Sequence, residues 1–150
     1  MNLETIAALG YELTPSPLEV LTFHAATRVG DLVFTSGQIP VFGDVAVKGK
    51  VGADVDLPTA QKAAEICAVN CLRAALAVAD AAEIERVVKL VGMVNVADGF
   101  NDTSSVINGA SSFLNSAFPG QPSHARSAVG MVLPGDWAVE VELVLALKAG

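Results

Sequence analysis

The last strand-like segment of the sequence has two faces of different character. Val139, Val141, Leu143, Leu145 and Leu147 fall on one side of an extended chain, and Glu140, Glu142, Val144 and Ala146 on the other, because successive side chains of a strand point to opposite faces. The first set suits a core covered by helices. The second mixes acids with apolar residues, so it is neither core nor ordinary solvent surface. Packing against other subunits accounts for it, and places two carboxylates near any cleft between subunits.

What precedes this strand supplies the covering helices. Thr59 to Asp80 is rich in alanine, has no internal Gly or Pro, and opens on Asp56-Leu57-Pro58 as helices do. Arg86 to Val96 is a β-branched run and reads as a strand. Asp102 is placed to cap a second helix running to about Phe118. Strands follow over 126–132 and 138–147, separated by Leu133-Pro134-Gly135-Asp136. Nearer the start, residues 2–10 make a short helix ending at Gly10, before the turn-rich Thr14-Pro15-Ser16-Pro17. Asp31 to Ser36 is a strand broken by Gly37, and Asp44 to Lys50 is a second strand that forms a hairpin with it. The order is ββαβαββ. Two helices then cover a single face of a mixed sheet, an α+β architecture.

A chain of 150 residues holds one ordinary domain, here 1–150. With 52% hydrophobic and 17% charged residues it is too apolar for disorder, yet no apolar run is long enough to span a bilayer. The surplus of apolar surface is a first sign of an oligomer. A net charge of −7 with nine Lys and Arg argues against a nucleic-acid partner, which needs clustered cations. Met1-Asn2-Leu3-Glu4-Thr5-Ile6 has no basic start and no long apolar core, so the expected location is cytoplasmic, with no membrane partner.

Arg126 stands among small residues in Gly120-Gln121-Pro122-Ser123-His124-Ala125-Arg126-Ser127-Ala128-Val129-Gly130, with no acid nearby in sequence. A guanidinium keeps its charge and presents a planar fork of donors, so its partner comes from elsewhere: a distant carboxylate of this chain, or a ligand. Glu140 is a candidate partner. Alternatively, Glu140 is the acid and base of a site where Arg126 holds an anionic substrate, since a carboxyl near an apolar wall titrates high.

Ser36 and Gly37 end a strand with a hydroxyl and a residue that permits close approach; a plain polar turn reads the same way. His124 lies two residues from Arg126 and lines the site mouth if the strand already extends there. Cys67 and Cys71 share a helix face, but with only His24 and His124 as histidines, isolated in sequence, they read as buried thiols rather than metal ligands. Phe23 and Trp137 read from the pattern as packing residues. No nucleophile elbow, phosphate loop or dinucleotide fingerprint occurs.

From about residue 20 to 148 these pieces together resemble the YjgF/RidA family, also called the L-PSP endoribonuclease family. The matching motifs are Val33-Phe34-Thr35-Ser36-Gly37-Gln38-Ile39-Pro40, Ala125-Arg126-Ser127-Ala128-Val129, Leu133-Pro134 and Val139-Glu140-Val141-Glu142. The N-terminal helix, Gly49 to Asp54, Val106 to Ser111 and His124 to Gly130 are similar to a longer branch of that family. The resemblance implies a chorismate-mutase-like fold assembled as a homotrimer with three intersubunit clefts, and hydrolysis of 2-imino acids to 2-keto acids and ammonia with neither metal nor organic cofactor.

By the same resemblance, Arg126 clamps the substrate carboxylate, Glu140 orients water and moves protons, and Ser36 with the Gly37 backbone fixes the substrate. Phe23 stands where the family has a tyrosine and lacks its hydroxyl. The spacing from Arg126 to Leu133-Pro134 is one residue shorter than the family's, which calls for a changed bulge or turn, because an uncorrected slip swaps strand faces. A non-catalytic trimer that binds small carboxylates in the same clefts is the alternative. Ribonuclease action, named in the family's older label, sits badly with the acidic charge.

Overall fold

The computed structural model describes residues 1–149. In chain order the elements are α1 (Leu3–Ala8), β1 (Glu19–Val20), β2 (Phe23–His24), β3 (Ala26–Val29), β4 (Leu32–Thr35), β5 (Val41–Phe42), β6 (Val45–Ala46), α2 (Leu57–Ala75), β7 (Ile84–Asn95), α3 (Thr103–Ala117), β8 (Ala125–Met131) and β9 (Val139–Leu147). Five of the strands form one sheet in the order β3-β4-β9-β7-β8, in which only β7 and β8 run parallel. The sheet is therefore mixed, as expected, with α2 and α3 packed together on one face. No helix among the described residues is long and apolar enough to cross a membrane.

The two-faced last strand is the centre of this arrangement. Val139, Val141, Leu143, Leu145 and Leu147 are all buried, while Glu140, Glu142, Val144 and Ala146 are half-buried or exposed on the uncovered face. Asp56 caps α2 by accepting from the Thr59 N–H at 2.9 Å, and Asp102 caps α3 through the Ser105 N–H. Twelve residues of α2 are buried, most of them small, so the helix lies close to β9 and α3. At the α2–α3 crossing Gly109 meets the Gln61 backbone so closely that a Cβ would overlap the carbonyl. Cys67 and Cys71 are buried as expected, their thiols on the Val139 and Val141 carbonyls, and burial pushes both well above the ordinary thiol range.

Two expectations need correction. The strand from Asp31 pairs with β3 on one side and β9 on the other, not with the segment 44–50. With both edges of β4 occupied, β6 pairs instead with β5 across the two-residue turn Gly43-Asp44, where Gly43 has φ 57°. The β3 strand lies outside the expected elements, although Gly30-Asp31 between Val29 and Leu32 is a two-residue hairpin signal. Secondly, α2 stops at Ala75 rather than Asp80. Glu83 there caps a reverse turn by accepting from the Asp80 N–H at 2.8 Å, which brings the chain into β7.

Candidate functional site

The end of β4 builds one half of the site. Thr35 is buried and its hydroxyl accepts from the Leu143 N–H at 3.0 Å, anchoring the strand end to β9. Beyond it, Gln38 exchanges two backbone hydrogen bonds with Val141, at 2.8 and 3.1 Å. Between these anchors the chain carries Ser36 and Gly37 across the uncovered face of β9. Glu140 projects to that face, and a Cβ built on Gly37 would fall on its carboxylate. Glycine is needed here for close approach, not for a special backbone angle.

Around Ser36 the geometry is equally tied down. Its N–H donates to the Ala25 carbonyl at 2.8 Å, and its hydroxyl donates to the His24 carbonyl at 2.6 Å. Ser36, His24, Phe23, Thr27 and Phe34 line an open groove of about 700 Å³. Phe23 is 51% exposed there, so it walls a groove rather than packing the core. Trp137 is half-buried under the Lys48 ammonium, 4.4 Å from its ring centre. His24, which nothing in its sequence neighbourhood marks, lines the groove and holds the Ser36 hydroxyl through its carbonyl; only the hairpin β1–β2 reveals it.

Glu140 has no hydrogen-bond or ion-pair partner among the described residues. Burial pushes its carboxyl above the ordinary glutamate value, and the Glu142 carboxylate on the same face adds to the rise. A carboxyl raised in this way against Gly37 is chemically suited to acid and base work on a small molecule, although Glu140 is not among the residues lining the groove beside Ser36. Among the described residues no three His, Cys, Asp or Glu side chains gather as a metal site.

Arg126 does not join this arrangement within the protomer. It pairs in register with Leu90, which is fully buried on the helix-covered face, and its Nη1 donates to Asn108 Oδ1 at 2.8 Å and Ser111 Oγ at 3.2 Å, both on α3. Glu140 pairs with Met93 on the opposite face. Within one protomer Arg126 and Glu140 therefore do not meet, and His124 accompanies Arg126, with Nε2 2.9 Å from Ser111 Oγ. The β7–β8 register runs unbroken from Lys89↔Ala125 to Asn95↔Met131, which fixes Arg126 opposite Leu90 and so on the helix-covered face. Asn108 and Ser111 are absent from the expected site, though three residues apart on a helix they share a face.

The family model described as Endoribonuclease L-PSP matches residues 15–147. A search of curated proteins gives no match. Among solved structures, the protein Atu1372 of unknown function from Agrobacterium tumefaciens is 38% identical, covering 97% of this chain and 92% of its own, with a TM-score of 0.87. The YjgF gene product from E. coli is 22% identical over 91% of this chain and 94% of its own, with a TM-score of 0.56. E. coli TdcF, solved with bound serine, is 20% identical over 91% and 94%, with a TM-score of 0.57.

Proposed function

The chain belongs to the L-PSP endoribonuclease (YjgF/RidA) family, and from that membership together with the Ser36–Gly37–Glu140 arrangement we propose that it hydrolyses 2-imino acids to 2-keto acids and ammonia. Membership by itself supports a small-molecule or endoribonuclease-like role. The observation that carries the finer reading is the Glu140 carboxylate: half-buried, without a cationic partner among the described residues, and beside a second acid. Such a pair favours a ligand that brings positive charge of its own. A protonated imine does, and its carbon is already electrophilic.

In this reading water adds to the imine carbon while Glu140 takes one of its protons and returns it to nitrogen; as the C–N bond then breaks and ammonia leaves, Glu140 takes the remaining hydroxyl proton, the keto group forms, and the proton passes to ammonia. Ser36, held by the His24 carbonyl, and the Gly37 backbone border the reacting group. Addition of water, proton transfer and loss of ammonia suffice, so this reading calls for no metal or organic cofactor. The groove is completed between copies of the chain. The uncovered sheet face exposes Leu32, Phe34, Val129 and Met131, each at least 37% accessible, and a homotrimer that packs these faces together accounts for them.

One observation favours a second reading, a trimer that binds small metabolites without turnover: Phe23 has no hydroxyl, and Arg126 lies across the sheet from Glu140. Generating 2-iminobutyrate or 2-aminoacrylate in situ and following keto-acid release separates the two. Release above the uncatalysed rate that disappears in Glu140→Gln supports hydrolysis; no acceleration, with saturable heat on titrating keto acids, supports the binder. Cleavage of RNA by nuclease-free protein would overturn both.

A further inference from the structure

We propose that Ser111 and His124, with Arg126, form a nucleophilic site at the outer edge of the sheet that hydrolyses small carboxylic esters. It lies apart from the Ser36–Glu140 arrangement and does not depend on the imine reading.

Two elements meet to build it. Ser111 lies in α3, which packs over the edge strand β8, while His124 immediately precedes β8 and Arg126 is its second residue. Ser111 Oγ is 2.9 Å from His124 Nε2 and accepts from Arg126 Nη1 at 3.2 Å. The same Nη1 donates to Asn108 Oδ1 at 2.8 Å, so two residues on one face of α3 fix the guanidinium. A guanidinium only donates, and the Ser111 hydroxyl has no acceptor other than His124 Nε2 among the described residues. The hydroxyl proton is therefore directed at the imidazole.

Burial and the neighbouring Arg126 charge hold His124 below its ordinary value, so near neutrality the ring is uncharged and free to take that proton. A serine is a weak nucleophile until a base lies within hydrogen-bond reach, and here one does. Arg126 supplies the third part. No acid lies within ion-pair distance of it among the described residues, and its Nη2 and Nε have no protein partner there. These donors stand beside the nucleophile, where a carbonyl oxygen turns negative during attack.

The surroundings select the acyl group. The cavity that His124 lines with Leu114 and Phe118 holds about 10 Å³, too little for an acyl chain. The substrate lies instead on an open surface whose exposed residues Ser112, Asn115 and Ser123 are small or polar. That suits a short acyl chain such as acetyl.

In the reaction Ser111 Oγ adds to the ester carbon as its proton passes to His124 Nε2, and Arg126 meets the negative oxygen. When the C–O bond breaks, His124 returns the proton to the departing alcohol and Ser111 is left acylated. Water then gives a proton to His124 and adds to the acyl carbon; the carboxylic acid leaves and the proton goes back to Ser111 Oγ.

The test labels the full-length protein with a fluorophosphonate, maps the modified residue by mass spectrometry, and follows nitrophenolate release from p-nitrophenyl acetate. The expected adduct is on Ser111 and absent from His124→Gln, and ester hydrolysis falls roughly 10²-fold or more in Ser111→Ala. The adduct is read on unaltered protein, so the folding of a variant does not decide it. Wild-type protein without an adduct on Ser111 overturns the proposal. So does an adduct that forms as fast in His124→Gln, hydrolysis that survives in Ser111→Ala, or acetyl transfer that maps to His24 instead. Imine hydrolysis is read separately, through Glu140→Gln.

Discussion

Arg126 and Glu140 lie on opposite faces of one sheet, on strands separated only by β7. The arginine and the acid that the sequence pattern suggests as partners are therefore apart within a protomer. Each acquires its own surroundings: Glu140 an acid neighbour and a glycine, Arg126 two neutral oxygens and a histidine.

Glu140→Gln is expected to reduce keto-acid release by about 10²–10⁴-fold, the usual contribution of a positioned proton carrier. Wild-type activity should fall on the acid side through the raised Glu140 value, above the ordinary glutamate range near about 4.3. A pH–rate profile checks both, and an acid limb at the ordinary value would remove Glu140 from the role.

The same residue has a stability signature. A carboxyl whose folded value is raised favours the folded state while protonated and loses that contribution as pH rises through the raised value. Glu140→Gln should therefore unfold at an equal or higher temperature than wild type at pH 7, with the difference vanishing below the ordinary carboxyl range. Thermal melts at several pH values decide it; a variant destabilised most at pH 7 contradicts the assignment.

Gly37→Ala tests the close approach. The new methyl meets the far end of the Glu140 side chain, which can swing away, so the stability change should stay near about 1 kcal/mol or less. Activity should fall far more than stability, because the carboxylate is displaced. Kinetics and denaturant melts on the same preparation would show it, and unchanged turnover would mean that Glu140 need not sit where it does.

Gly109→Ala makes the opposite case. A helix-interior glycine costs roughly 1 kcal/mol against alanine, so propensity alone predicts a gain. Here the Cβ strikes the Gln61 backbone, which cannot rotate aside, and α2 and α3 must separate. Overpacking of about 1–3 kcal/mol should win, lowering Tm by roughly 2–12 °C. A higher Tm would show that the helices part freely.

Val129→Glu places a charge on the exposed outer edge of the sheet, where Val129 is 41% accessible and pairs with Met93. If that face joins copies of the chain, the variant should sediment as monomer while retaining native circular dichroism. Wild-type protein that is itself monomeric would remove the trimer and the shared clefts together.

The elements that depend on local pattern are legible in the amino-acid sequence alone: the β-branched run of β7, the capped alanine-rich helix α2, and above all the two phases of β9, whose buried set is the one the alternation selects. The Ser36-Gly37 and Glu140 motifs are legible as well, and the fold brings them together. Other features follow from long-range pairing. Which strand lies beside β4, where α2 stops, and that Asn108 and Ser111 hold Arg126 depend on partners distant in sequence. The arginine's face is decided in the same way. Side chains in a strand alternate every residue, so the face Arg126 takes turns on its register with β7, and only the packed pairing opposite Leu90 decides it.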